Sequence, residues 1–446
     1  MNAITKKLAV DGAVKVAAPT SLIAEAGTVS KIRIRKSAIM LVLANYAVAF
    51  VSMGINMMLA HRLGASGYGV FRYGIVIGTF VQCFVNFGSH RTIVRDLTHA
   101  VNPATMMSSS LALRLVSAMM VTFFGLILSL SIDLPGPKLF VAWMCGFAAV
   151  CTGLSPKGWF DVQYKMHWHT VTVLLEKVLF AVTAFGWAFG FADQNLLFGA
   201  AVFWMLARAA GLTAQVWLVR KTFQWSDAWN LKRMLWLTHE TKWVFGAVLG
   251  GILASFGTQL VLGAIQGNKA MAHFGMAFSM VAMGQLFITQ IDRLMAPKIA
   301  KLTRDDNDEG IPVAKYLLKF AGWAALGSST VAASLAIAGP IAIRIFLGEK
   351  YEPSIEILYW LCVWCMLLGM NLVSARFLIC LRCHRLQFFT SITRGILAMA
   401  CAPYLVMNFG GRGVAFAMIT SALIFLTINY TFLLTTKRFE GKVKTV

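Results

Sequence analysis

Apolar residues run along this chain in long blocks, separated by short connectors holding Gly, Pro and basic side chains. Roughly 20 consecutive apolar residues cross a hydrocarbon layer as a helix. Reading the blocks against their breaks predicts twelve spans, at 38–60, 69–89, 109–131, 138–155, 170–191, 195–219, 243–265, 271–296, 318–347, 355–381, 387–408 and 413–435. The first break, Leu59-Ala-His-Arg-Leu-Gly-Ala-Ser-Gly-Tyr-Gly-Val-Phe-Arg-Tyr-Gly74, is Gly-rich and lies between the runs Ser37 to Ala60 and Gly69 to Gly88. Gly64, Gly67 and Gly69 permit positive φ angles, so a tight helical hairpin is expected. A weaker echo comes half a chain later at Gly267-Asn-Lys-Ala-Met-Ala-His-Phe-Gly275, where Phe274-Gly275 matches Tyr68-Gly69. A recurring hairpin predicts two similar lobes around a central pathway.

Composition turns that pattern into a class. Of 446 residues, 58% are hydrophobic and 13% charged, and the mean hydropathy is +0.71. A soluble chain of this size could not bury so much apolar surface in ordinary cores. The expected fold is an all-α polytopic membrane protein, about twelve transmembrane helices in two pseudo-symmetric six-helix lobes around a central cavity.

A net charge of +22 would suit a nucleic-acid binder, but its distribution does not. Lys and Arg fall on alternate connectors, as positive-inside bias predicts, and form no basic face. One set carries most of them, including Arg91, Arg95, Lys157, Arg220, Lys221, Arg233, Lys298, Arg382 and Lys437. The other set carries only Arg62, Lys138, Lys269, Lys350 and Arg412. Both termini are therefore expected in the cytoplasm, with no nucleic-acid partner and with anionic membrane lipids as neighbours. The expected organisation is a disordered basic tail at 1–36, a first lobe at 37–220, a cytoplasmic connector at 221–242, a second lobe at 243–436 and a tail at 437–446. In the stretch 220–242, Trp225, Trp229, Leu231, Leu235 and Trp236 stand among Lys and Arg, which predicts an interfacial amphipathic helix. Asp305-Asp-Asn-Asp-Glu309 lacks calcium-loop spacing and reads as a solvated loop.

Four stretches in this order resemble one family. Arg62-Leu-Gly-Ala-Ser-Gly-Tyr-Gly-Val-Phe71 is similar to the first-hairpin turn of bacterial polysaccharide and oligosaccharide flippases. Pro156-Lys-Gly-Trp-Phe-Asp-Val-Gln-Tyr-Lys-Met166 resembles the aromatic segment after their fourth helix. Met295-Ala-Pro-Lys-Ile-Ala-Lys-Leu302 and Ile345-Phe-Leu-Gly-Glu-Lys-Tyr-Glu-Pro353 are similar to the segments closing their eighth helix and following their ninth. One departure is Phe160-Asp-Val162, where O-antigen-type members carry Phe-Gln-Gly. The superfamily also contains multidrug exporters and lipid II flippases. The resemblance implies an inner-membrane transporter that rocks two lobes to move lipid-linked oligosaccharide, built on polyprenyl pyrophosphate, for exopolysaccharide, capsule or O-antigen assembly. It also implies a polysaccharide polymerase and export machinery as partners.

The residues carry little that suggests covalent chemistry. No G-x-x-x-x-G-K-[ST] or H-E-x-x-H occurs, outer connectors are short, and no enzyme activity, cofactor or metal is expected. Cys380-Leu-Arg-Cys-His384 spells a haem-attachment pattern, but on the cytoplasmic side; Cys362 and Cys365 read as helix-packing residues. Ionisable groups inside spans are costly and mark candidate function. The substrate-binding candidates are Arg72, Arg114, Arg208, Arg293, Arg376 and Arg394, with Glu176 and Asp292 as ion-coupling candidates. Snorkelling or helix pairing is the plain alternative for Arg114, Lys177, Arg293, Arg376 and Arg394. Arg208 lies too deep to reach the surface and is expected to face a wet cavity or pair with Glu176. Glu176 and Asp292 have the alternative of neutralising Lys177 and Arg293. Guanidiniums match phosphate oxygens bidentately, so a cationic cavity for a pyrophosphate is the expectation. A multidrug-type exporter, which would place carboxylates in the pathway, and a membrane glycan polymerase or ligase are the alternatives. In the seventh span, Gly246, Gly250, Gly251 and Gly257 suit either close packing or a gating bend.

Overall fold

The computed structural model describes residues 31–89, 103–131, 134–163, 166–190, 193–223, 228–302, 313–381 and 383–435. The chain divides into two compact units, Met1–Leu43 and Ala44–Val446. Of the first, the described part is helical backbone from Lys31 onward. The rest of the expected tail at 1–36, the tail at 437–446 and the acidic stretch Asp305 to Glu309 lie outside the described residues. All that follows concerns the second unit.

Every regular element among the described residues is helical. In chain order they are α1 (Lys31–Asn86), α2 (Pro103–Ser131), α3 (Gly136–Gly153), the short α4 (Lys157–Val162), α5 (Met166–Gly190), α6 (Asp193–Val219), α7 (Leu231–Ile265), α8 (Gly267–Leu302), α9 (Val313–Leu347), α10 (Pro353–Cys380), α11 (His384–Phe409) and α12 (Gly411–Thr435). Among the described residues, eleven helices are long and apolar enough to cross a membrane, and one of them, Asn45–Asn86 within α1, is two crossings joined at Gly64. The twelve expected spans are thus present, six in α1–α6 and six in α7–α12.

The first hairpin turns on a single residue. Gly64, at φ 64° and ψ 177°, interrupts α1 in a conformation that side chains disfavour. Gly67 and Gly69, expected to share the turn, do not have positive φ. Gly69 serves a different end: a Cβ there would collide with the Asn268 carbonyl, so the two backbones touch. The arms of α1 run back along each other. Tyr46 of the first arm packs on Phe287, far along α8, with ring centroids 4.0 Å apart. Gly69, opening the second arm, meets the start of α8, and Phe87, closing it, stacks on Phe245 of α7 at 4.6 Å.

The echo is structural. Gly267, at φ 78°, turns α7 into α8 as Gly64 turns α1. Gly275 of α8 receives Arg72 of α1, whose Cγ lies 2.6 Å from where a Cβ would stand. Tyr68 and Phe274, the residues before the paired glycines, are both fully buried. Each hairpin therefore sets a bare glycine against the other.

The lobes meet at both ends. At the end of Gly64, the Tyr351 hydroxyl donates to the Ala60 carbonyl at 3.1 Å. Burial pushes the Tyr351 phenol above its ordinary range, so it stays a donor. At the opposite end, Met106, Met107, Trp159, Phe160, Met234 and Leu237 form an apolar cluster across α2, α4 and α7. Arg233 Nη1 also donates there to Ser109 Oγ at 3.4 Å.

α7 starts within the stretch 220–242. Arg220–Thr222 is one 3-10 turn, and α7 begins at Leu231, capped by Asn230, whose side-chain oxygen accepts from the Arg233 N–H. No helix breaker follows, so the amphipathic stretch continues into the span rather than forming a separate helix. Leu231, Leu235 and Trp236 are exposed while Met234 and Leu237 are buried, so the expected two-faced character sits on its opening turns. Trp225 lies outside the described residues. Three of the four glycines serve close packing. Gly246 lies under Phe388, Gly250 on the Ser391 carbonyl and Gly257 on Met399 Sδ, and Leu253–Gly257 is a π-helical turn. Gly251 faces open space.

Candidate functional site

Inside the first lobe is a cavity of about 250 Å³ whose walls carry Arg114, Lys157 and Arg208 but one carboxylate, Glu176. Helical spacing builds it. His169, Val173 and Glu176 present one face of α5, and Arg208, Leu212 and Gln215 one face of α6. Gln82 and Asn86 do the same on the second arm of α1. Lys157 opens α4, whose Trp159 and Phe160 are buried in the cluster across α2, α4 and α7 and so anchor that helix.

Arg208 both lines the cavity and pairs. Its Nη1 lies 2.9 Å from Glu176 Oε1. The other carboxylate oxygen lies 3.0 Å from where a Cβ of Gly211 would be, so the absence of a side chain there admits Glu176 against α6. Arg208 and Lys177 also both sit over the Trp204 ring, at 4.7 Å and 4.2 Å from its centroid. Each such contact stabilises a cation by about 0.5–2 kcal/mol. Glu176 is thus engaged by Arg208, not by its neighbour Lys177, which is buried against the ring. The site keeps a net positive charge at low dielectric, where an anion is attracted far more strongly than in water.

Arg114 holds the wall together. Its Nε donates to Ser89 Oγ at 2.8 Å, and its Nη1 to the carbonyls of Ser155 at 2.9 Å and Gly153 at 3.3 Å. It is 2% exposed, and its bonds to neighbouring carbonyls are the helix pairing expected as the plain alternative. Ser155 Oγ donates to Gln215 Oε1, and Gln215 Nε2 donates to Thr172 Oγ1 at 3.1 Å. Thr172 in turn donates to the His169 carbonyl at 2.8 Å. A single polar chain therefore joins α2, the turn after α3, α6 and α5.

The other candidates lie elsewhere. Arg72 is buried between the lobes, over the Phe278 ring at 5.3 Å, and its Nε finds no hydrogen-bond partner. Arg394 is buried in the second lobe over Phe425 at 5.5 Å. Arg376 lies half-buried on α10. The side chains of Asp292 and Arg293 lie outside the described residues. The structure brings together Arg114, Arg208 and Glu176 and does not gather the remaining described candidates around them. Cys362 and Cys365 are buried free thiols within the main core.

Lys157, Gln215, Ser155 and Thr172 are additions that the structure makes to the site. For Gln215 a signal is present in the sequence: polar residues recur at helical spacing within otherwise apolar spans, as at Gln82/Asn86 and Arg208/Gln215, whereas Ser155 and Lys157 sit in a connector.

Residues 34–302, more than half of the chain, match the family described as polysaccharide biosynthesis protein. The chain belongs to this family. Among curated proteins none matches. Among solved structures, the lipid II flippase MurJ in an inward-closed conformation is similar over 89% of this chain and 88% of its own, with TM-score 0.69 at 11% identity. A MATE-family multidrug resistance transporter of the MOP superfamily, inward-facing, is similar over 89% and 96%, with TM-score 0.64 at 18% identity. The MATE multidrug transporter DinF-BH, solved as a complex, is similar over 92% and 96%, with TM-score 0.65 at 15% identity. At such identities the likeness is one of fold: the polysaccharide-family member is a multi-pass membrane protein built as those transporters are.

Proposed function

We propose that the protein flips lipid-linked oligosaccharide, attached through pyrophosphate to a polyprenyl chain, from the cytoplasmic to the periplasmic leaflet of a bacterial inner membrane, for the assembly of a surface polysaccharide. The observation that carries this reading is the charge of the first-lobe cavity, where Arg114, Lys157 and Arg208 face one already paired carboxylate. A pyrophosphate is a small, doubly charged group, and guanidinium forks are suited to its oxygens. The cavity lies toward the end of the helices that the basic connectors assign to the cytoplasm, where such a lipid is made available. Alternation of the contacts at the two ends, Tyr351–Ala60 and Phe87–Phe245, then exposes the head to one side or the other. A polymerase and export machinery would act on the product.

The MATE likenesses favour a second reading, export of small organic molecules on the same fold. Cationic cargo, however, would meet a wall of its own sign. The two readings separate in liposomes reconstituted with the protein and a fluorescent undecaprenyl-pyrophosphate oligosaccharide, followed by an impermeant quencher. Protein-dependent loss of the protected leaflet's signal is expected, slowed about 10- to 100-fold by Arg208→Gln. Transport of organic cations with no movement of the lipid would overturn the flippase reading.

A further inference from the structure

Arg114 and Arg208, the two arginines of the first-lobe cavity, are held in different ways. Arg114 gives its N–H groups to a hydroxyl and two carbonyls, partners without charge that can stay in place when an anion arrives. Arg208 is held by an anion. Its Nη1 meets Glu176 Oε1 at 2.9 Å, and Glu176 is the one carboxylate among the described residues that line the cavity. The two partners are not equally accessible: the Arg208 side chain keeps 20% of its surface open, the Glu176 side chain 6%. An anion entering the cavity therefore meets the guanidinium first, with the carboxylate behind it.

Arg208 cannot serve two anions equally. The ion pair meets through one nitrogen and one oxygen, while Glu176 Oε2 is turned to the gap at Gly211. A phosphate brings two oxygens to a guanidinium fork, and a pyrophosphate carries more charge than a carboxylate. Two anions on one guanidinium also repel each other, strongly so at low dielectric. Whichever holds Arg208 therefore weakens the hold of the other. The Trp204 ring lies against both cations, 4.7 Å from Arg208 and 4.2 Å from Lys177, and keeps the guanidinium in place through such an exchange.

We propose that Glu176 is a tethered competitor of the cargo, holding Arg208 when the cavity is empty and taking it back from the pyrophosphate as the head leaves. This rests on the cavity being the head site. A transported group must bind well enough to enter and weakly enough to depart. The carboxylate supplies the second condition, since an uncontested Arg208 would retain the head. Because the competitor belongs to the chain, its local concentration is fixed whatever the amount of cargo. It also sets a threshold: a phosphodiester with one charge, as in an ordinary phospholipid, displaces Glu176 less readily than a pyrophosphate does.

The test uses the full-length protein, in nanodiscs for binding and in liposomes for flipping, with a fluorescent undecaprenyl-pyrophosphate oligosaccharide as probe. Glu176→Gln keeps the shape of the side chain and removes its charge. It should tighten binding about tenfold and lower the maximal flipping rate about tenfold, so that apparent KM and kcat fall together. Loss of a merely structural partner would instead weaken binding. Glu176→Asp, whose carboxylate falls short of Arg208, should lie between Glu and Gln in both measurements. On an Arg208→Gln background, Glu176→Gln should change binding less than about twofold, because the competitor acts only through that guanidinium. Equal tightening with and without Arg208 would overturn the proposal. Should the Gln variant not fold, the Asp variant decides, and binding no tighter than that of the unaltered protein counts against a competitor. Arg208→Gln alone separates this role from the head reading. If it leaves affinity for the probe unchanged, the head assignment falls and the competitor with it. If it weakens binding while Glu176→Gln does not tighten it, the head site stands and the competitor alone is refuted.

Discussion

In the first lobe, Arg114 and Arg208 stand beside open space, and each has hydrogen-bonded or charged partners that fix its direction. In the second lobe, Arg394 of α11 is packed over Phe425 with its Nε unpartnered. On α10 and α12, Asn371 Oδ1 and both amide atoms of Asn429 are also buried without partners. The helices of that second group, α10, α11 and α12, together with α7, make some of the most extensive helix contacts in the protein. A buried cation in a membrane interior is therefore not a site by itself; neighbours that orient it make the difference. Two lobes of one plan thus surround their buried arginines differently.

The sharpest way to break that contrast is to neutralise one arginine in each lobe. Arg208→Gln removes a charged partner worth about 1.5–3 kcal/mol, so transport of the lipid-linked oligosaccharide should fall about 10- to 100-fold. Arg394→Gln should lower folding stability or expression while transport per folded molecule changes less than about threefold. Equal losses of transport from both would erase the distinction between the lobes. Arg208→Lys keeps the charge but not the fork, and unchanged transport there would remove the bidentate role.

A smaller effect is expected from Gln215→Leu, which cuts the chain between Ser155 and Thr172. The loss of two buried hydrogen bonds, about 1–3 kcal/mol, should appear as a lower melting temperature in detergent and a weaker apparent affinity for substrate. Smallest is Gly211→Ala. Its methyl presses on Glu176 Oε2 and shifts the ion pair by tenths of an ångström. A change in transport of about twofold is expected, and a large loss would show that the Arg208–Glu176 geometry is set far more tightly than the surrounding space requires.

Much of this architecture is legible in residue order alone. Apolar blocks and their breaks locate each span, because a helix in hydrocarbon must satisfy its own backbone and leaves a long, uninterrupted signature. The start of α7 is harder to place, because the composition of 231–242 is that of an interfacial segment, while Asn230 caps a helix that simply continues. The pairing of Arg208 with Glu176 follows from depth and sign. The dispersal of Arg72 and Arg394 does not, since each residue along a helix turns its side chain by about 100°, and span limits uncertain by two residues leave its facing undetermined. Lys157 is hidden from a search of the spans because it sits in a connector, and only the burial of Trp159 and Phe160 carries α4 to the cavity wall.

The reciprocal seam of Gly69 on Asn268 and Gly275 under Arg72 bears on what holds the two hairpins together. The two hairpins meet over bare main chain at those glycines, while Leu59, Tyr68 and Phe71 of one are buried in a shared core with Phe274 and Phe278 of the other. Separation there is resisted chiefly by short-range dispersion and a few polar ties such as Tyr351 to Ala60. Parting the hairpins at either end therefore means withdrawing buried aromatics and methionines, at the Gly64 end as much as at the far side.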